Sequence, residues 1–95
     1  MFVSTDKACF PQNLYGSTKY CAEKLAIASN NLGKCRFSVV RYGNVRRSPS
    51  SVIPLWKKQA KDHGSITITD PTMTRFWITI EDAAKFILDR LEDMQ

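Results

Sequence analysis

Apolar and polar positions along the first half of the chain predict two strands with a helix between them. The apolar start, residues 1–3 (MFV), runs into Ser-Thr-Asp and indicates the carboxyl end of a buried strand. From Leu14 the apolar residues recur at helical spacing until Asn30 and Gly33 end the predicted helix. Residues 36–41 (RFSVVR) contain a β-branched pair and predict the second strand.

The second half of the chain predicts further helices and extended segments. Residues 46–51 form a basic, Ser-rich loop, and residues 52–63 (VIPLWKKQAKDH) predict a helix that Gly64 ends. Residues 65–69 (SITIT) alternate strictly, as a strand does, and residues 74–80 (TRFWITI) predict a short extended piece.

A last predicted helix completes the pattern and decides the fold class. Thr79 and the two acids near it start this helix, whose apolar residues recur at helical spacing: Ala83, Phe86, Ile87 and Leu91. The order β-α-β-α-β-β-α predicts an α/β layered fold with parallel strands. Parallel strands need neighbours and helices on both faces, and two or three strands are few for that. We therefore expect residues 1–95 to be a single partial domain of a larger sheet, and a homo-oligomer to cover its exposed strand edges.

Composition and charge narrow the class of protein. With 43% hydrophobic and 24% charged residues the chain is typical of a globular protein. The net charge of +5 is scattered, and a protein that holds a nucleotide diphosphate needs cations as much as one that binds nucleic acid. No nucleic-acid recognition motif is present, so we expect no nucleic-acid partner. No apolar run approaches the ~20 residues of a membrane span. Three cysteines and one histidine without metal-ligand spacing predict no metal site and a reducing, cytoplasmic location.

Tyr15 and Lys19 carry the first chemical signal. Their i, i+4 spacing places them on one helix face, and an ammonium group at that position favours the phenolate form of a tyrosine. Such a pair removes a proton from a substrate hydroxyl while a nicotinamide cofactor takes hydride. The alternative interpretation of Y-x-x-x-K alone is a half-buried tyrosine beside a solvent-facing lysine.

A cluster of polar side chains at the first strand end supports the chemical interpretation. Residues 4–7 (STDK) supply hydroxyl groups, a carboxyl group and an amine where open α/β sheets bind their ligands. The alternative for Ser-Thr-Asp is a turn or a helix cap. That alternative does not predict the Tyr-Lys pair.

Four ordered motifs resemble one enzyme superfamily. They are S-T-D-K-A, N-L-Y-G-S-T-K, R-F-S-V-V-R-Y-G-N-V and I-T-D-P-T-M-T-R-F-W-I-T. Together they resemble the extended short-chain dehydrogenases/reductases and, within these, the inverting UDP-N-acetylglucosamine 4,6-dehydratases. The resemblance covers nearly the whole chain. It implies a partial Rossmann-type, NAD(P)-binding fold that corresponds to the middle third of such an enzyme and lacks the N-terminal dinucleotide-binding half.

Two positions indicate which subgroup of these dehydratases the chain resembles. Asp6-Lys7 resembles the inverting type, whereas ordinary 4,6-dehydratases have Asp-Glu there. The large membrane-anchored relatives are expected to have Met where this chain has Tyr15. The resemblance therefore implies the short soluble form, which acts in nucleotide-sugar biosynthesis towards pseudaminic acid.

The resemblance also implies a role for each site residue. Tyr15, helped by Lys19, takes the 4-hydroxyl proton, and Lys7 takes the C5 proton. Asp6 protonates the departing 6-hydroxyl, and Thr5 or Ser4 binds the 4-oxygen. The implied cofactor is NADP, with NAD possible, at Val3, Ser4, Tyr15, Lys19, Val45, Arg46, Arg47 and Ser48. The implied UDP-sugar contacts are Asn44 at the diphosphate, with Ile53, Thr67 and Arg75 near the uridine diphosphate.

Departures from the family pattern leave two hypotheses. No Gly-x-x-Gly-x-x-Gly follows a strand, and residues 43–51 read GNVRRSPSS where the family is expected to read GNVVGSRGS. The chain is either part of an inverting dehydratase that retains its catalytic residues, or a non-catalytic remnant that folds alone or associates with a partner. In either case we expect the 95-residue chain alone not to turn over UDP-N-acetylglucosamine.

Overall fold

The computed structural model describes residues 1–46, 48 and 51–94. Within these residues the chain forms strands and helices in alternation: β1 (Phe2–Thr5), α1 (Leu14–Ala28), β2 (Val39–Tyr42), β3 (Asn44–Val45), α2 (Val52–His63), β4 (Trp77–Ile78) and α3 (Ile80–Glu92). Two 3-10 segments, Asp6–Ala8 and Ser29–Leu32, flank α1.

The strands form two parallel pairs. β1 pairs with β2 in a register that sets Ser4 opposite Arg41 and Thr5 opposite Tyr42. β3 pairs with β4, with Asn44 opposite Trp77. The expectation of an α/β fold with parallel strands is confirmed, and the carboxyl ends of β1 and β2 lie side by side.

Local hydrogen bonds start the helices where the sequence predicts. The Asn13 side chain accepts from the Gly16 amide at 2.9 Å and caps α1. Thr79 caps α3 in the same way, through the Asp82 amide at 3.0 Å. Gly64 ends α2 with its amide bonded to the Ala60 carbonyl.

Three predicted strands differ from the structure. Residues 65–69 are irregular, because no neighbouring strand among the described residues offers them a ladder; instead Trp56 Nε1 donates to the Thr67 carbonyl at 2.8 Å. The strand predicted at residues 36–41 lies at Val39–Tyr42, and the piece predicted at residues 74–80 is a strand only at Trp77–Ile78. β3 was not predicted, since only its pairing with β4 makes it a strand.

The apolar core is small. Ala8, Val40 and Ala83 are the buried hydrophobic residues of the described chain, and α2 buries none of its residues. α1 packs on β1 and on the turn that follows it, and α3 packs on β2. Among the described residues, no helix combines the length and apolar character required to cross a membrane.

Candidate active site

A cavity of about 410 Å³ opens at the carboxyl ends of β1 and β2. That is within the usual range for small-molecule pockets. Nine of the predicted site residues line it: Val3, Ser4, Thr5, Lys7, Tyr15, Lys19, Asn44, Val45 and Ser48. Parallel strands that end together bring these side chains to one place, as open α/β sheets do.

A close backbone contact sets the distance between α1 and the turn after β1. A Cβ atom built on Gly16 would lie 2.2 Å from the Lys7 carbonyl oxygen and 3.1 Å from Pro11 Cβ. Only a residue without a side chain permits this approach. Gly16 therefore holds its neighbour Tyr15 beside Lys7.

Lys19 and Tyr15 line the same cavity without bonding to each other. Lys19 Nζ donates to the Val3 carbonyl at 3.4 Å and lies 5.1 Å from the centre of the Phe2 ring. The Tyr15 side chain is half exposed, and within the described chain its hydroxyl makes no hydrogen bond to Lys19. A cavity lined by both a phenol and an ammonium group can accept a ligand that bonds to both.

The second lysine is held by two oxygens. Lys7 Nζ donates to Asp6 Oδ1 at 3.1 Å and to Asn44 Oδ1 at 2.7 Å. Thr5 Oγ1 donates to the same Asp6 oxygen at 3.0 Å. The structure therefore joins the end of β1 to the start of β3 through one ammonium group.

The Asp6 carboxyl group favours its ionised form. Partial burial raises its pKa, but the hydrogen bonds from Lys7 and Thr5 and the Lys7 charge together outweigh this, and the net pKa is below the ordinary value. In the ligand-free chain Asp6 is consequently a carboxylate at neutral pH.

An ion pair between a buried carboxylate and a partly exposed guanidinium group joins α1 to β2. Both Glu23 carboxylate oxygens accept from Arg41, at 2.8 Å to Nε and 2.5 Å to Nη2, and Glu23 is only 3% exposed. The Arg41 hydrogen bonds lower the pKa of Glu23 against the effect of burial, and the pKa of Arg41 is raised in turn. Because Glu23 is one turn after Lys19, the pair ties the helix of the candidate site to β2.

Other predicted residues lie outside this cavity. Arg75 and Asp6 line a neighbouring cavity of about 380 Å³, which Lys7 also borders. Arg46 and Ile53 meet at a third, of about 350 Å³. Thr67 lies against α2, where its amide donates to Gln59 Oε1 at 3.0 Å. The expectation for Arg47 concerns a residue outside the described ones.

Five residues that sequence reasoning did not select also line the main cavity: Tyr42, Gly43, Ser51, Val52 and Trp77. Tyr42 and Gly43 directly precede Asn44 at the end of a predicted strand, and this position alone could have identified them as cavity residues. Trp77 arrives only through the β3–β4 pairing, for which the sequence offers no sign. Ser51 and Val52 begin α2, whose positive dipole end favours anions. No group of histidine, cysteine and acidic side chains suited to a metal ion occurs in the described part of the chain.

Comparison with known protein families identifies the family of this chain. Residues 1–95 match the family described as polysaccharide biosynthesis protein. The chain belongs to that family. The resemblance to extended reductases and inverting dehydratases drawn from the four motifs is confirmed at this level.

Several known proteins are similar to almost the whole chain. The UDP-N-acetylglucosamine 4,6-dehydratase (inverting) of Campylobacter jejuni strain 81-176 is 52% identical over 97% of the chain. A UDP-glucose 4-epimerase of Rickettsia bellii is 45% identical over 95%. The X-ray structure of Pen from Bacillus thuringiensis superimposes with a TM-score of 0.89 at 37% identity, over 96% of the chain. The chain spans 29%, 27% and 30% of the lengths of these three proteins.

Proposed function

We propose that the chain is the catalytic and substrate-side part of a C5-inverting 4,6-dehydratase that acts on UDP-N-acetylglucosamine. The observation that carries the proposal is the meeting of Tyr15, Lys19, Lys7 and Asn44 at one cavity. The 52% identity to an inverting dehydratase supports it. The resemblance of the motifs further implies that the lysine after Asp6 and the Tyr-Lys pair carry such a reaction.

The cavity fits part of a nicotinamide cofactor. Its donors include the Lys19 ammonium group and the hydroxyl groups of Tyr15 and Ser48, a set suited to a ribose and a carboxamide, whereas the Ser4 hydroxyl is buried. When bound, NADP or NAD accepts hydride from C4 of the sugar and returns hydride to C6. The Gly-x-x-Gly-x-x-Gly cradle for the pyrophosphate is not among residues 1–95. We therefore expect this chain alone to bind dinucleotide poorly.

Tyr15 acts as the first base. Its phenolate takes the 4-hydroxyl proton of the sugar and becomes a phenol, and the positive charge of Lys19 favours the phenolate form that is needed. Thr5 or Ser4 donates a hydrogen bond to the 4-oxygen. The resulting 4-keto group acidifies the C5 proton.

Lys7 and Asp6 then act as a pair. Elimination needs a neutral Lys7 amine to take the C5 proton and a protonated Asp6 to give a proton to the departing 6-hydroxyl. Transfer of one proton from Lys7 to Asp6, across their 3.1 Å hydrogen bond, converts the observed ion pair into this neutral pair. Loss of water restores the ion pair, so the pair exchanges no net proton with solvent. C5 is then reprotonated by solvent from the opposite face, which inverts its configuration, and Tyr15 gives the 4-hydroxyl proton up to solvent, so that the protons balance.

The proposal also covers the pathway, the cellular location, the cofactor and the oligomer. A product with a 4-keto group and an inverted C5 suits nucleotide-sugar biosynthesis towards pseudaminic acid, in the cytoplasm and with NADP as cofactor. The oligomer that we expect would be formed by copies of the same protein.

Calorimetric titration with UDP tests the proposal on the chain itself. Micromolar binding that weakens at least tenfold in Asn44→Ala is the expected result, because the diphosphate is its predicted ligand. Ala28→Ser, at the far end of α1, is the matched control and should bind as the wild type does. No binding by the wild type would favour the non-catalytic remnant. Incubation of the chain with NADP and UDP-N-acetylglucosamine should give no 4-keto product.

A further inference from the structure

Asn44 contacts the lysine that the proposed reaction uses as its base. Its Oδ1 accepts from Lys7 Nζ at 2.7 Å, which is shorter than the 3.1 Å bond from the same nitrogen to Asp6. An ammonium group has donors only, so the amide atom that faces Lys7 has to be the oxygen. The amide nitrogen Nδ2 is then left for another acceptor, and it makes no hydrogen bond to the described residues.

The backbone on both sides of Asn44 is clamped. Its amide donates to the Phe76 carbonyl at 2.8 Å, within the β3–β4 pair. A Cβ atom on Gly43 would lie 2.4 Å from the same carbonyl oxygen, so the two strands touch through their main chains. The side-chain amide of Asn44 therefore projects from a fixed backbone.

The two acceptors define where the lone pair of a neutral Lys7 amine can point. A tetrahedral amine nitrogen has three directions besides its bond to Cε. Asp6 Oδ1 and Asn44 Oδ1 occupy two of them as acceptors. Transfer of a proton to Asp6 leaves the lone pair of Lys7 facing Asp6 Oδ1. A one-third turn about the Cε–Nζ bond then directs the lone pair along the third direction, with the two remaining N–H groups on Asn44 Oδ1 and the Asp6 carboxyl group. The two acceptors thus restrict the reactive orientation of the base to one.

We propose that Asn44 is a positioning residue that aims the Lys7 amine at C5 of the substrate. The same amide links the base to ligand binding, because a diphosphate that accepts from Nδ2 holds Oδ1 towards Lys7. This inference rests on the proposed dehydratase function and adds to the predicted contact of Asn44 with the diphosphate. Proton abstraction at C5 should therefore depend on Asn44 more strongly than oxidation at C4 does.

Nuclear magnetic resonance of the chain labelled with ¹⁵N-lysine tests the contact without any turnover. A hydrogen-bonded Lys7 ammonium group should give an Nζ–H signal protected from exchange with water, assigned by its loss in Lys7→Arg. The signal should disappear in Asn44→Ala and persist in Asn44→Asp, which keeps an acceptor. Asn13→Ser is the matched control, since Asn13 shares the second cavity with Lys7 without bonding to Nζ and serine still caps α1. A signal unchanged in Asn44→Ala, or absent from the wild type, would overturn the proposal.

A second measurement separates the two steps in the complete polypeptide of which this chain is proposed to be part. At saturating substrate, any loss that Asn44→Ala causes in the rate of C4 oxidation, read from nicotinamide absorbance, should be much smaller than its loss at C5. Incorporation of solvent deuterium at C5 should fall by about a hundredfold, the loss expected of a misplaced group. Equal losses in both steps would contradict the positioning role. A wild type that does not oxidise C4 would contradict the proposed function, and the Lys7 signal would still decide the contact.

Discussion

Asp6 and Glu23 are both carboxylates held by a cation, and the pKa of each lies below its ordinary value. They differ in how far the sequence could reveal them. Asp6 pairs with the next residue, Lys7, at a strand end, so the site could be predicted from residue types in order. Glu23 pairs with Arg41 across 18 positions of sequence, and only the fold brings the two together. Spacing along the chain finds local pairs, while partners from separate elements depend on packing.

Replacement of Glu23 by glutamine should destabilise the chain by about 1–3 kcal/mol at neutral pH, because one charged hydrogen bond is lost and Arg41 is left without its counter-ion. A carboxylate whose folded pKa is lowered stabilises the fold above its unfolded pKa, and that contribution disappears as pH falls through the folded value. The difference between wild type and Glu23→Gln should thus shrink below about pH 4.5. Urea denaturation at several pH values measures it, with the exposed Glu92→Gln as control. A difference that does not change with pH would refute this account of the pair.

At the scale of elements, prediction from sequence succeeded where the cause is local. The caps Asn13 and Thr79 and the stop at Gly64 act within four residues, and the helices begin or end there as predicted. A strand depends on its neighbour instead. Residues 65–69 have the pattern of a strand but no partner strand within the described part of the chain, whereas Asn44–Val45 have a partner strand without the pattern. The cavity residues at the ends of β1 and β2 could be predicted from the sequence. The wall that β4 contributes could not, because it depends on the pairing of β4 with β3.

The contact between α1 and the turn after β1 leads to a prediction for Gly16→Ala. The added methyl group would lie 2.2 Å from the Lys7 carbonyl oxygen, so the helix has to move away. We expect a loss of about 1–3 kcal/mol in the free energy of unfolding despite the better helix propensity of alanine. Thermal unfolding followed by circular dichroism gives the value. Cys21→Ala, an exposed change in the same helix, should be near neutral, and a stable Gly16→Ala would show that the helix approach is not tight.

The segment at residues 65–69 gives a prediction about local protection. Gln59 accepts from the Thr67 amide at 3.0 Å, on an exposed surface. Gln59→Ala should speed hydrogen exchange of that amide by about 3- to 10-fold, which corresponds to one ordinary hydrogen bond. Amide exchange measured residue by residue provides the test, with Gln12→Ala as the control. If the Thr67 amide exchanges equally fast in both variants, the segment is held by Trp56 alone or not at all.

At the scale of the whole molecule, the surface is too large for an isolated domain. The chain exposes 7597 Å², whereas a compact protein of 10.8 kDa exposes about 5,500 Å². Its radius of gyration is 17.0 Å against about 12 Å for a compact domain of this length. The excess of about 2,000 Å² on one chain is more than twice the ~800 Å² per partner that a standard interface buries. The size of the excess supports the expectation, made from the few predicted strands, that further protein surface covers this fold.

We therefore expect the isolated chain to self-associate, with α3 as one contact. Ile80, Leu88 and Leu91 form an exposed apolar stripe on this helix, and each is at least 41% exposed. The sedimentation coefficient and the melting temperature should both rise with protein concentration. Leu88→Glu should shift the chain towards monomer, because a carboxylate in an apolar contact loses its hydration. Lys85→Gln, which changes the net charge by the same amount outside the stripe, should leave association intact. Sedimentation as a monomer at every concentration would show that the apolar surface is not used between copies of the chain.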